Sequence, residues 1–296
     1  MKRHRTARVV STAMLAAALT ALAFTGAASA KLVGEFTKFQ HCPYNTAEVN
    51  RCMHSLNTGG EVILGTKKTP IVNPVTIQGG YSKPVKRISK FFGATNGVTL
   101  SKAAQPVPGG LLGIVPPEKS PWLVKALSKF FFENSLTGVN SVLELAKSAS
   151  DIVISEPNLS EGIGIALEMP VKVRLENPFL GKNCYVGSSS SPIVWKLTTG
   201  TTSPPGPNTP ISGETGEISF LEGGRILQLN GTVLVDNSWS APTASGCGGI
   251  LSFLVNPIIN SQIGLASAAG KNTASLKNTV TVATVAAVKA NDAENP

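Results

Sequence analysis

The residues best suited to chemistry in this chain crowd one short stretch. His41-Cys42 and Cys52-Met53-His54 bring together two imidazoles, two thiols and a thioether. Those are the ligand types that hold zinc or copper. Two features oppose a metal. Adjacent His-Cys is poor geometry for one tetrahedral ion. The cysteines are also four in all, Cys42, Cys52, Cys184 and Cys247, and an even set in an oxidising compartment reads as two disulfides. Four cysteines allow three pairings. Cys42–Cys52 with Cys184–Cys247 is favoured, because each pair brackets its own segment. No metal and no cofactor is expected.

Catalysis finds little else to work with. A Ser-His-Asp set needs a histidine, and the chain has only His4, His41 and His54. There is no G-x-S-x-G elbow, S-x-x-K, H-E-x-x-H, P-loop or G-x-G-x-x-G. Gly162-Ile163-Gly164 is a fragment of the last and is expected on a strand. Two loose groups of acids, Glu214/Glu217/Glu222 and Glu156/Glu161/Glu168, keep a hydrolase with a carboxylate pair as an alternative, since such enzymes set two carboxyls about 5–10 Å apart across a sugar. Three tryptophans and three tyrosines are thin material for a sugar platform, and Trp239 is expected to pack in the core or a loop. No catalytic residue is assigned.

The elements that would position any site begin with an address. Lys2, Arg3, Arg5 and Arg8 precede an apolar run from Val9 to Phe24, then Ala28-Ser29-Ala30. That order is a secretory signal peptide with cleavage after Ala30. The run is too short and alanine-rich for a stable transmembrane anchor. Residues 31–290 are expected to form a single β-rich domain and the polar residues 291–296 a disordered tail. Removal of the signal takes four of the 26 basic residues and none of the 17 acids, which lowers the net charge from +9 to +5. The densest basic patch, Lys83, Lys86, Arg87 and Lys90, lacks interleaved aromatics, so no nucleic acid partner is expected. It reads as a solvated face, with an anionic envelope polymer or lipid surface as the alternative. Nothing in the chain fixes an oligomeric state.

Abundant glycine and proline, low charge and short β-branched runs predict a mainly β fold. The expected architecture is a sandwich-like antiparallel domain, with α+β as the alternative. Strand signals fall at Glu61–Leu64, Ile71–Ile77, Val139–Leu145, Asp151–Ile154, Ile163–Leu167, Ile193–Leu197 and Ile226–Val235, with Gly231 marking a bulge. Val171–Leu175 alternates most cleanly, which turns Lys172 and Arg174 to water. Asn96-Gly97 reads as a hairpin turn, and Ala274–Val288 as a closing strand. The stretch between Ser188 and Gly213 is expected to be partly an exposed Ser/Thr/Pro loop.

Residues 105–146 change character. Leu111, Leu112 and Ile114 lie in a Pro/Gly-framed apolar loop, and Ser120-Pro121 opens an amphipathic helix over about 120–133. Phe130, Phe131 and Phe132 cannot share one helix face. Either this helix plugs an open end of the β core, or the segment from Leu111 to Phe132 lines a lipid pocket or dips into a membrane surface. One or two short helices are expected near 249–263.

Three segments carry a resemblance: Pro170 to Ser188, Leu197 to Pro205, and Val235 to Gly248. Together they resemble a group of uncharacterised secreted proteins of actinobacteria, best over residues 165–280. The likeness implies secretion and supports the Cys184–Cys247 pairing; it implies no activity. The expected function is a secreted, non-enzymatic protein binding an apolar ligand or a cell-envelope component, lipid or polymer, or else a structural or adhesive surface protein.

Overall fold

Along Val171–Leu175 the apolar residues turn to one side and Lys172 and Arg174 to the other, and this alternation sits in the middle of a long strand. The computed structural model describes residues 31–295. The expected signal segment and its cleavage site lie outside the described residues. The strands are β1 (Arg51–Leu64), β2 (Lys67–Pro70), β3 (Val75–Tyr81), β4 (Ser89–Gly93), β5 (Ala104–Val107), β6 (Val139–Leu145) and β7 (Val153–Ile154). They continue with β8 (Leu167–Glu176), β9 (Tyr185–Val186), β10 (Ile193–Leu197), β11 (Glu217–Leu221), β12 (Ile226–Asp236), β13 (Ala244–Ser245) and β14 (Thr273–Thr284). The helices are α1 (Trp122–Phe132), α2 (Glu156–Glu161), α3 (Ser252–Ile263) and α4 (Val285–Glu294).

The fold is mainly β and sandwich-like. One antiparallel path runs β11-β12-β14-β1-β3-β4-β7-β8-β6-β5. β4 is the corner, pairing β3 on one side and β7 on the other. On the far side a Thr198–Val235 bridge ties the end of β10 to β12. The two halves therefore face each other and bury one core between them, including Met53, Phe91, Met169, Val171, Trp195 and Val280.

Two bulges crease the first half. β1 slips register against β14 between Asn57 and Gly59, and β12 slips between Leu229 and Thr232. Both irregularities sit beside Asn278, which pairs Asn57 on one flank and Thr232 on the other. Gly231 provides the left-handed residue at φ 71°. Each bulge inverts the in/out parity of its strand. Met53 and Leu229 face the core before the slip, and Val62, Leu64 and Leu234 face it after.

A second apolar cluster covers the outer face of this half. Leu32, Phe36 and Phe39 pack with Val49, Ile226 and Val288. Cys42–Cys52 clamps this N-terminal turn onto β1, with its Cα atoms 5.6 Å apart. His54 is on the same strand. Its burial, then the charge of Lys38, push its pKa below the ordinary value. The fold thus disfavours the charged imidazole relative to the unfolded chain, which takes up a proton below about pH 6.5. Stability from this group is present above that pH and is lost as the pH falls below it. His54→Gln is expected to show a smaller drop in melting temperature than the parent between about pH 8 and about pH 5.5, checked by calorimetry.

Several expectations are corrected. Residues 291–294 are not a disordered tail but the end of α4, where Asn291 is buried and accepts a hydrogen bond from the Val33 amide. β14 stops at Thr284, whose side chain caps α4. Gly162 ends α2 in a left-handed conformation, and Ile163–Ala166 precede β8 instead of forming a strand. The Asn96-Gly97 turn joins β4 to a segment that bridges Ile77 at Leu100, so both sides of it lie along β3. The Ser/Thr/Pro loop is anchored: Thr198, Thr199 and Thr202 are buried, and Thr202 is hydrogen-bonded to Ile211. In the basic patch, Arg87 pairs with Glu161 and Lys90 with Glu48.

Candidate functional site

The side chains of the two halves do not fill the space between them. A cavity of about 120 Å³ remains. Its walls are Val62, Ile77 and Leu276 from one half, and Leu143, Val173 and Trp195 from the other. These side chains come from β1, β3, β14, β6, β8 and β10, with β2 and β5 adding Thr69 and Val107, and the parity of β1 beyond its bulge aims Val62 and Leu64 inward. Four polar side chains on the wall, Asn57, Gln105, Ser141 and Asn278, bond to backbone. Asn57 donates to the carbonyls of Gly59 and Lys277. Gln105 accepts from the Val72 and Asn73 amides and donates to the Asn73 carbonyl. What remains facing the void is almost wholly apolar, the usual character of a small-molecule pocket.

Two segments roof it. Ile259 and Ile263, one turn apart on α3, are buried, and Val255 extends that stripe onto the core. Asparagines on α3 hold it in place. Asn256 Oδ1 accepts from the Cys247 amide, and the Asn260 side chain bonds both backbone groups of Ala244. At the other end the Thr66 amide donates to the Ile263 carbonyl. The Cys184–Cys247 disulfide, its Cα atoms 4.1 Å apart, lies under this N-terminal anchor. The second roof segment is the tight turn Gly110–Leu112, which puts Leu111 over the cavity beside α3. A side chain at Gly113 would strike Lys67 and Gln262, so turn and helix touch.

The turn belongs to a long excursion. β5 and β6 pair up to Val107–Val139, and residues 108–138 are the loop of that hairpin. It carries α1, whose C-terminus is closed by Asn134 and Thr137 bonding to the Phe130 and Phe131 carbonyls. Glu133 accepts from the Gly109 amide, and Thr137 accepts from Leu111. Beyond these, α1 stands off the body. From Trp122 to Phe131 only Ser128 is even half-buried. Trp122 is 78% and Phe130 70% exposed. Phe130 and Phe131 meet only edge to face, at 5.3 Å. α3 and the turn before it also present apolar residues outward: Ile250 at 95% exposure, with Leu251, Phe253, Leu254 and Ile258. Phe179 joins them, because the Leu180 carbonyl beside it accepts from Gly248.

The four cysteines form the two expected disulfides. Their sulfurs are thereby removed as metal ligands, and no cluster of three or more metal-type ligands occurs among the described residues. Three of the six acids of the alternative hydrolase have structural partners: Glu156 binds Arg51 and the Tyr81 hydroxyl, Glu161 binds Arg87, and Glu222 accepts from the Glu35 amide. Trp239 is buried against Trp195. Of the apolar segment, Leu111 lines the cavity, while Leu112, Ile114, Phe130 and Phe131 are exposed and Phe132 is the last residue of α1. The helix does not plug the core. The cavity walls and the outward face of α3 were not anticipated from sequence. One signal pointed to α3: no charged residue occurs between Asp236 and Lys271.

No family model matches the chain, and neither does any curated protein or solved structure. No helix among the described residues is long and apolar enough to cross a membrane.

Proposed function

We propose that this is a secreted, non-enzymatic binder of an apolar molecule, received in the cavity between the two sheet halves and working at the cell envelope. The apolar cavity carries the reading. Space of this kind left between core side chains is a local loss of packing contacts that a folded core normally avoids. Its volume approaches that of an engineered apolar cavity of about 150 Å³ that stays dry and takes up benzene. One ring or a short stretch of acyl chain fits, and a longer molecule would extend out past Leu111 and Gln262. Two disulfides suit an oxidising compartment, in keeping with the signal segment.

The test is titration with cis-parinaric acid, a fluorescent polyene fatty acid, followed by its emission on transfer out of water. The parent is expected to bind saturably. Val173→Phe projects a ring into the cavity and is expected to weaken binding about tenfold or more, given the area it denies the probe, with melting temperature nearly unchanged. Binding that is absent in the parent, or equal in the two proteins, would overturn the proposal.

A further inference from the structure

We infer that α1 and the outward face of α3 form a docking surface for an anionic lipid bilayer. Three observations converge. First, α1 has no partner for its apolar arc: Trp122, Leu123, Leu127, Phe130 and Phe131 lie within one side of the helix and all are exposed. An 11-residue helix is marginal by itself in water, so an apolar face left open along its whole length calls for an occupant. Second, the pattern is that of a helix lying in an interface. Aromatic and aliphatic side chains occupy one arc, and Lys125 and Lys129 the other. Tryptophan at the helix start suits the headgroup level.

Third, the charge chooses between occupants. The segments that carry the exposed apolar residues, 109–136, 178–182 and 248–263, hold Lys119, Lys125, Lys129 and Lys182 against Glu118 and Glu133. Glu133 is already engaged with the Gly109 amide. A second copy of the same surface would bring like charges together, whereas anionic headgroups complement them. The apron also borders the cavity roof, because Leu111 and Ile259 face inward from the same two segments whose other residues face out. A docked protein would thus hold the cavity entrance against the bilayer. Docking itself does not require the cavity to be filled.

The experiment is flotation with vesicles of phosphatidylcholine, with and without phosphatidylglycerol, at low and high salt. The parent is expected to float with the anionic vesicles, less so at high salt, and weakly with phosphatidylcholine alone. Phe131→Ser and Leu112→Asp change exposed residues and should leave the melting temperature unchanged. Each is expected to reduce partition about tenfold. Lys125→Glu with Lys129→Glu should remove the preference for anionic vesicles. Val173→Phe should lose parinaric acid but still float, which separates failure of the cavity from failure of the docking surface. A parent that stays in solution, or floats equally well with Phe131→Ser and Leu112→Asp, overturns the inference. So does a parent that sediments as a dimer dispersed by those substitutions without vesicle binding, since the occupant would then be a second copy.

Discussion

Trp195→Ala is expected to destabilise the protein by about 3–5 kcal/mol, the range for emptying a large aromatic from a core. In a domain of this size that is a fall of roughly 10 °C in melting temperature. Trp195 is only 2% exposed and meets Trp239 edge to face, with ring centroids 6.1 Å apart. Trp239 in turn donates to the carbonyl of Asp236, whose carboxylate accepts from the Lys196 and Ser238 amides. The indole therefore joins the core to a hydrogen-bonded corner between β10 and β12. It also forms part of the cavity wall, so its loss enlarges a space that is already unfilled, and the neighbours have little left to collapse onto. Apolar additives such as benzene should recover part of the lost stability in this variant by occupying the space. Trp195→Phe should cost much less. It keeps a ring and deletes an indole N–H that has no acceptor among the described residues. Calorimetry and denaturant titration read both variants. A loss below about 1 kcal/mol for Trp195→Ala would mean that the indole is not packing this core.

Removing the Cys184–Cys247 bridge, as the double substitution to alanine, is expected to cost about 4 kcal/mol in the chain-entropy treatment. The bridge spans 63 residues. The Cys42–Cys52 bridge spans 10, and its removal should cost about 3 kcal/mol by the same reasoning. The larger effect should also be the one felt at the site. Cys247 donates its amide to Asn256 of α3, and Cys184 precedes β9, which pairs with β13. Without the bridge the N-terminal anchor of the roof helix loosens. Parinaric acid affinity should fall in the Cys184/Cys247 variant and stay near the parent's in the Cys42/Cys52 variant, whose clamp lies on the opposite face of the sheet. Equal effects of the two variants on affinity would separate the bridge from the roof.

Much of the fold was legible where one local rule acts alone. Cysteine number and spacing led to both disulfides, and the alternation at Val171–Leu175 led to β8. Ser120-Pro121 with the following apolar spacing led to α1, and the strands at Val139–Leu145 and Ile193–Leu197 agree with their expected limits. The misses have physical causes. β1 and β12 change parity at their bulges, so no single period-two pattern runs through either strand. The polar C-terminal helix is ordered by tertiary contacts, Val288 in the outer cluster and Asn291 on the Val33 amide, which residue composition cannot reveal. The cavity is a property of eight strands spread along the chain, none of which looks unusual alone. For α1, periodicity announced an apolar face without saying whether the protein's own core would cover it, and the core does not.

The paired bulges beside Asn278 bear on which changes of chain length this protein can absorb. A substitution at Thr58 or Gly231 alters one position. A deletion there would restore regular pairing along the whole strand, and every residue beyond it would swap sides. Val62 and Leu64 would turn outward and Glu61 and Ile63 inward, placing a carboxylate in the hydrocarbon-lined space. The hairpin loop at 108–138 has no such coupling, because its ends meet at a paired Val107 and Val139. Insertions and deletions should therefore be tolerated around α1, beyond the roof turn Gly110–Leu112, and rejected at the crease, so the proposed docking helix can change length while the chamber behind it cannot.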